Sequence, residues 1–281
     1  MKLHFKTISA VILSPRMQKA LYKGVDFEEV GEDVKIEELD NINIVYPFYS
    51  YENRELLSGQ DFSYAKEYYI PVSSLKGALL GQKKGEEENT LRSKILFQDI
   101  RISKSHIRLR NLCKFQYLYQ EETQEDNANN KGNDKKKPKF TLFFPNIAIE
   151  MIEDGKEFES EVLLKMPDLS EEFFRNKLEE SFEITKKKLE NYMKETEKRI
   201  EAINSWEIKA EDCLDKLKGV KASIQQQLEG NKKCIFLGGY KGLLGSLSHL
   251  KIKDENHKIQ NGFYIDENTL LPYGLVAVEI S

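Results

Sequence analysis

The chain lacks most of what would tie it to a membrane, an oxidising compartment or a metal. Its longest apolar run near the start, Ala10 to Leu13, is far short of the ~20 residues that cross a bilayer, and nothing there reads as a signal peptide. A cytoplasmic protein with no membrane attachment is the expectation. Its three cysteines, Cys113, Cys213 and Cys234, are odd in number, widely separated and never in CxxC spacing, which excludes a disulfide framework and a zinc site. The four histidines, His4, His106, His249 and His257, share no motif, and the carboxylates Asp26, Asp99 and Asp154 have no metal-ligand spacing. No metal and no cofactor is expected. A large basic field is missing as well: 43 Lys and Arg stand against 47 Asp and Glu, a net charge of −4. That argues against a protein that finds nucleic acid alone, but leaves room for a local basic groove inside a larger assembly.

What is present begins with Cys234 to Leu250, CIFLGGYKGLLGSLSHL, which places four of the 16 glycines within the eight residues Gly238 to Gly245. Glycine reaches positive φ without a Cβ penalty and lets another backbone or a phosphate approach. After the apolar run Ile235 to Leu237, the cluster predicts a strand that breaks into a loop. Gly238, Gly239, Lys241 and Gly242 offer amides and one cation to a phosphate, and Tyr240 a flat face to a base. The spacing is neither a Walker A nor a dinucleotide fingerprint. A tight turn with small-residue packing fits it equally well.

A second stretch is Tyr68 to Gln82, YYIPVSSLKGALLGQ. Leu75, Ala78 and Leu79 recur at helical spacing after Pro71, so Ser73 or Ser74 is expected as the N-cap, with free amides and Lys76 at the helix start. An ordinary capped helix with a solvated lysine is the simpler alternative. Ile95 to Ser105 alternates as one strand carrying Arg101, Ser103 and Lys104, and Cys113 to Tyr119 as another. Residues 121–139 hold no large apolar side chain and read as a disordered excursion. Asp154-Gly155 between two β-rich runs signals a hairpin. From Glu171 to Leu228 there is no proline and one glycine, Gly219, and the apolar spacing predicts two helices broken near Asn204-Ser205, Ser205 capping the second. The outer faces, Lys186 to Lys188 among them, look solvated. Short strands are expected at His249 to Lys253 and Gly262 to Ile265, and a turn and strand over Leu270 to Ile280.

Three pieces in order, IPVSSLKGALL (Ile70 to Leu80), FQDIRISKS (Phe97 to Ser105) and FLGGYKGLLGSL (Phe236 to Leu247) with LPYGLVAVEI after it, resemble the RAMP superfamily of CRISPR-associated proteins. Within it they are most similar to the subunit-five family of type III-A (Csm) effector complexes. The chain departs from that family's usual pattern at Val72 for glycine, Leu80 for arginine and Lys104 for aspartate. The resemblance implies an α+β fold with a ferredoxin-like (RRM-like) core, an antiparallel sheet, a β-hairpin and a helical insertion. The core would run over 1–167, be interrupted by a helical insertion at 168–230, and be completed by 231–281. It implies a subunit that binds crRNA, caps the filament of backbone subunits at the crRNA 3′ end and supports crRNA maturation without being a nuclease. Its partners would be crRNA and the other Csm/RAMP subunits, above all the backbone subunit. Carried over by position, Ser73, Ser74, Lys76 and Gly77 would form a helix start near phosphate or a neighbouring subunit, with Arg101 and Ser103 on the following strand and Gly238, Gly239, Lys241 and Gly242 in the glycine loop.

Three other readings compete. The chain could be another type III RAMP subunit. A crRNA-processing endoribonuclease on the same fold needs a general acid and base, for which His249 is the best of a scattered set. A protein-binding scaffold would dock through the helical pair.

Overall fold

The computed structural model describes residues 1–13, 19–31, 41–52, 54, 60–81, 92–119, 136–142, 144–165, 169–205, 210–230, 232–246 and 262–281. In chain order the first elements are β1 (Lys2–Thr7), β2 (Leu21–Tyr22), β3 (Ile44–Tyr46), β4 (Glu67–Ile70), α1 (Val72–Leu80), β5 (Ile95–Phe97), β6 (Ile100–Ser103) and β7 (Ile107–Arg110). There follow β8 (Cys113–Tyr119), β9 (Lys136–Leu142), β10 (Ile147–Ile152), β11 (Glu157–Leu164), α2 (Glu171–Asn204) and α3 (Glu211–Glu229). The series ends with β12 (Cys234–Phe236), α4 (Gly242–Ser246), β13 (Phe263–Tyr264) and β14 (Leu275–Ile280). The result is a mixed α+β protein with mainly antiparallel sheets.

The main sheet is built around β1. Its alternation buries Leu3, Phe5 and Thr7 and exposes His4 and Lys6, as a period of two requires. Both of its edges are paired antiparallel, with β11 and with β14. β5 extends the sheet beyond β11 and β12 beyond β14, for an order of β12-β14-β1-β11-β5. Among the described residues the smaller sheets are β2-β3-β10-β7, in which β3 and β10 are parallel, β13-β8-β9, and the two-stranded ribbon β4-β6.

Two apolar cores share helix α2. Its first half puts Phe174 and Leu178 into a cluster with Leu75 and Leu79 of α1, Leu3 and Phe5 of β1, and Ile235 and Val276. Its second half puts Leu189 and Tyr192 against Leu217 and Val220 of α3 and against Phe115 and Phe263 of the β13-β8-β9 sheet. The helical hairpin therefore packs on β structure, as its spacing predicts. Each fully buried side chain of this size contributes roughly 1.5–3 kcal/mol, so two cores hold α2 firmly. Its middle turns, between them, face α1 and the segment after β12.

Several sequence expectations are corrected. The Asp154-Gly155 turn, with Gly155 at φ +72°, does not close a hairpin, because β10 pairs with β3 and β7 while β11 pairs with β1 and β5. It is a corner between two sheets, held where the Gly155 N–H donates to the Thr7 carbonyl at 2.7 Å. The expected single strand over 95–105 is two, β5 and β6, which join different sheets. Lys136 to Lys139, taken as part of a disordered stretch, open β9, an edge strand in which Pro138 is tolerated; residues 120–135 lie outside the described residues. Neither Ser73 nor Ser74 caps α1: the N-cap is Pro71, and both serines are inside the helix. Ser205 closes α2 instead of opening α3, its hydroxyl donating to the Ala202 carbonyl at 2.8 Å. The strand expected at His249 to Lys253 lies outside the described residues.

Candidate functional site

The glycine segment follows β12 as a turn and is tied to the beginning of the chain. Gly239 N–H donates to the Ile12 carbonyl at 2.7 Å. Gly238 has φ +94°, and a Cβ there would overlap the same carbonyl oxygen, so glycine is required on both counts. Tyr240 follows at φ 52° and packs edge-on against Tyr264, with ring centroids 6.1 Å apart. Lys241 then leads into the short helix α4, its carbonyl accepting a hydrogen bond from the buried Tyr192 hydroxyl of α2.

Opposite this turn lies α1. Its first amide is not left open for an anion: Val72 N–H donates to Asp99 Oδ1 at 2.8 Å, and Ser74 and Leu75 N–H both reach the Pro71 carbonyl. What α1 offers is its side, where Ser73, Ser74, Gly77 and Ala78 form one wall of a cleft of about 320 Å³. The floor comes from α2 through Ser181, Thr185 and Lys188, and the far wall from Gly238 and Lys241. Ser181 Oγ is committed to the Leu79 carbonyl at 2.7 Å, and Thr185 Oγ1 to the Ser181 carbonyl at 3.0 Å, so these two hydroxyls hold the helices together.

The two cleft lysines set its electrostatics. Lys188 Nζ donates to the Gly245 carbonyl at 2.8 Å and Lys241 Nζ to the Phe236 carbonyl at 3.2 Å. Among the described residues neither has a carboxylate within ion-pair distance. Burial, and then the charge of Lys188, push the Lys241 ammonium down to about 8, and burial lowers Lys188. Outside the cleft, burial and the nearby Arg92 lower Lys76 on α1. Two partly buried ammonium groups, held by backbone carbonyls and, for Lys188, by the Phe236 ring 6.0 Å away, repel each other, and an anion entering the cleft relieves both the repulsion and the desolvation.

Of the residues expected from the sequence, the structure brings Ser73, Ser74, Gly77, Gly238 and Lys241 to one cleft. Lys76, Gly239, Tyr240 and Gly242 belong to the same two segments without lining it. Arg101 and Ser103 do not join them. They sit on the β4-β6 ribbon, Arg101 exposed with Glu67 at 3.9 Å and Ser103 capping a turn of 3-10 helix over Lys104–His106. The sequence reading missed Lys188, placed there on a solvated face. The available signal was Ser181, Thr185 and Lys188 at i, i+4 and i+7, a polar strip along a helix whose neighbouring positions are apolar.

Among the described residues no group of His, Cys, Asp and Glu is arranged to hold a metal ion, and no helix is long and apolar enough to cross a membrane. His4 is exposed beside Glu159 and Ser281, and His106 is half-buried, its basicity lowered by burial and by Lys156. Neither lines the cleft; His249 and His257 lie outside the described residues. All three thiols are buried, which pushes Cys113 up to about 12 and Cys213 and Cys234 to about 11 and leaves them poor nucleophiles.

No protein-family model matches the chain, and no curated protein does. Among solved structures it is similar to a chain in the cryo-EM structure of a Csm–crRNA–target RNA ternary complex of a type III-A CRISPR-Cas system, with 12% identity and a TM-score of 0.35. The match covers 67% of this chain and 50% of that one.

Proposed function

We propose that the protein is a non-catalytic, crRNA-binding subunit of a type III CRISPR effector complex. In the finer form of this reading it is the subunit-five kind of type III-A (Csm) assemblies, working in the cytoplasm. It would cap the backbone filament at the crRNA 3′ end and support crRNA maturation. One observation carries the reading. Two of the three motifs behind the resemblance, far apart in the chain, line one cleft together with two lysines that have no carboxylate within ion-pair distance among the described residues. A sugar-phosphate strand supplies the missing negative charge.

The sheet supports a ferredoxin-like core. β1 and β5 are both antiparallel to β11, which lies between them, and β11 and β14 are both antiparallel to β1. With α1 in the first crossover and α2 in the second, this is the pattern of two interleaved split βαβ units. On this reading α2 belongs to the core, and within the expected 168–230 insertion it is α3 that is additional to it.

The test is co-purification with neighbouring complex subunits, followed by sequencing of bound small RNA and binding measurements on Lys241→Ala. Retention of guide RNA by the wild type and a roughly tenfold or greater loss in the variant, with a shallower salt dependence, are the expected results. Recovery of the subunits without RNA would leave the scaffold reading in place. RNA turnover by the purified chain that disappears in His249→Ala would replace this reading with the endoribonuclease.

A further inference from the structure

The ribbon leading into α1 carries an aromatic feature that the cleft does not use. Tyr51 and Tyr69 stack with ring centroids 4.3 Å apart and planes 20° from parallel, and Tyr49 leans on Tyr69 at 5.7 Å. Tyr51 is 52% exposed, so one ring face is backed by Tyr69 while much of the rest meets solvent. Directly across the ribbon from Tyr69 is Arg101, whose side chain is 77% exposed. Its ion partner Glu67, at 3.9 Å, is beyond hydrogen-bonding distance and leaves the guanidinium free to swing.

Position matters as much as composition. Tyr69 stands four residues before Ser73, a cleft residue, so their Cα atoms are at most about 14 Å apart. Asp99 links the two places: its carboxylate accepts the first amide of α1, and its charge, after burial, raises the Tyr69 phenol. The stacked rings therefore stand within reach of neighbouring nucleotides on a strand held in the cleft. Mixed charge nearby, with Glu67 and Asp99 beside Arg101, disfavours a phosphate here and suits the uncharged face of a base.

We propose that Tyr51, backed by Tyr69 with Arg101 across the ribbon from Tyr69, is a stacking platform for an unpaired base of the same RNA strand whose phosphate occupies the cleft. The proposal rests on the reading of the cleft as an RNA site. Stacking of this kind is tolerant of sequence because every base has a π-face, which suits a subunit that must accept guides of any sequence.

The test compares a short labelled single-stranded RNA with a strand of the same length made abasic throughout, both titrated into the full-length protein. Tyr51→Ala weakens the base-bearing strand roughly tenfold and leaves the abasic strand unchanged, whereas Tyr51→Phe and Tyr51→Trp retain binding. Lys241→Ala weakens both strands. Unchanged binding in Tyr51→Ala, with Lys241→Ala still defective, overturns the platform and spares the cleft. No binding by the wild type, or no effect of Lys241→Ala, overturns the cleft reading. If Tyr51→Ala instead loses partner subunits while keeping RNA affinity, the rings dock a protein and the platform is wrong.

Discussion

Two parts of this molecule handle charge in opposite ways. On the open face of the main sheet, Lys2 pairs with Glu159 and Lys6 with Glu157, each at 2.8 Å, and His4 lies beside Glu159. Every cation there has its anion, and the face presents no net attraction to a polyanion. In the cleft, Lys188 and Lys241 are withdrawn from water and have backbone carbonyls for company. A chain of net charge −4 has acids to spare, so a cleft with none among its described lining residues is the informative place. The contrast also separates this face from exposed sheets on which bases stack: the open surface of β1 and β11 is a ladder of ion pairs.

The comparison can be sharpened first in the interior. Glu150 is fully buried, bridging Arg54 at 2.8 Å, the Tyr68 hydroxyl at 2.6 Å and the Phe48 N–H at 2.8 Å. Glu150→Ala strands the Arg54 charge and should lower stability by about 3–5 kcal/mol, read from denaturant unfolding. Removing a cleft lysine should do the reverse. Lys241→Met relieves a desolvated cation and is expected to raise the unfolding midpoint near neutral pH while costing RNA affinity roughly tenfold. Equal losses of stability and affinity would mean that Lys241 is structural.

Acidity gives a third test, and its sign is fixed. Lys241 binds its proton less tightly folded, at about 8, than unfolded, near its ordinary 10.5. Between those values the unfolded chain holds more protons, so stability should rise with pH across that window, by up to about 3 kcal/mol. RNA affinity should fall over the same range as the ammonium is lost, and both trends should vanish in Lys241→Met. The smallest effect belongs to the open sheet face. Lys6→Ala removes a screened, exposed pair and should leave both unfolding midpoint and RNA affinity essentially unchanged; a clear loss of RNA binding there would break the comparison.

Local pattern made much of this fold legible. The helical stripe through Leu178, Phe182 and Leu189, the strands at Cys113 to Tyr119 and Leu275 to Ile280, and the glycine turn at Gly238 were all readable because each follows from spacing within a few residues. Partner choice was not. Asp154-Gly155 has hairpin chemistry, yet the strands on either side of it find other neighbours, and no local signal reports that. Ser73 and Ser74 are good caps by type, but Asp99 reaches the helix start from the link between β5 and β6 and serves instead. Lys188 was hidden for a similar reason: beside Lys186 and Lys187 it looks solvated, and only the approach of α1 and the glycine turn encloses it. The two motifs were visible separately. Their meeting depends on α2, whose two cores fix its middle against both.

The pairing of β1 has a consequence for biosynthesis. Leu3 lies opposite Ser160 on one side and Ile280 on the other. A ribosome must therefore deliver residue 280 before the strand over residues 2–7 is closed on both edges. Until then that strand exposes an apolar row and an unpaired backbone rim, the kind of edge that recruits other strands. Pairings across such sequence distances also form slowly. Yield in a heterologous host should accordingly respond to slower synthesis and to chaperones that shield nascent β-structure.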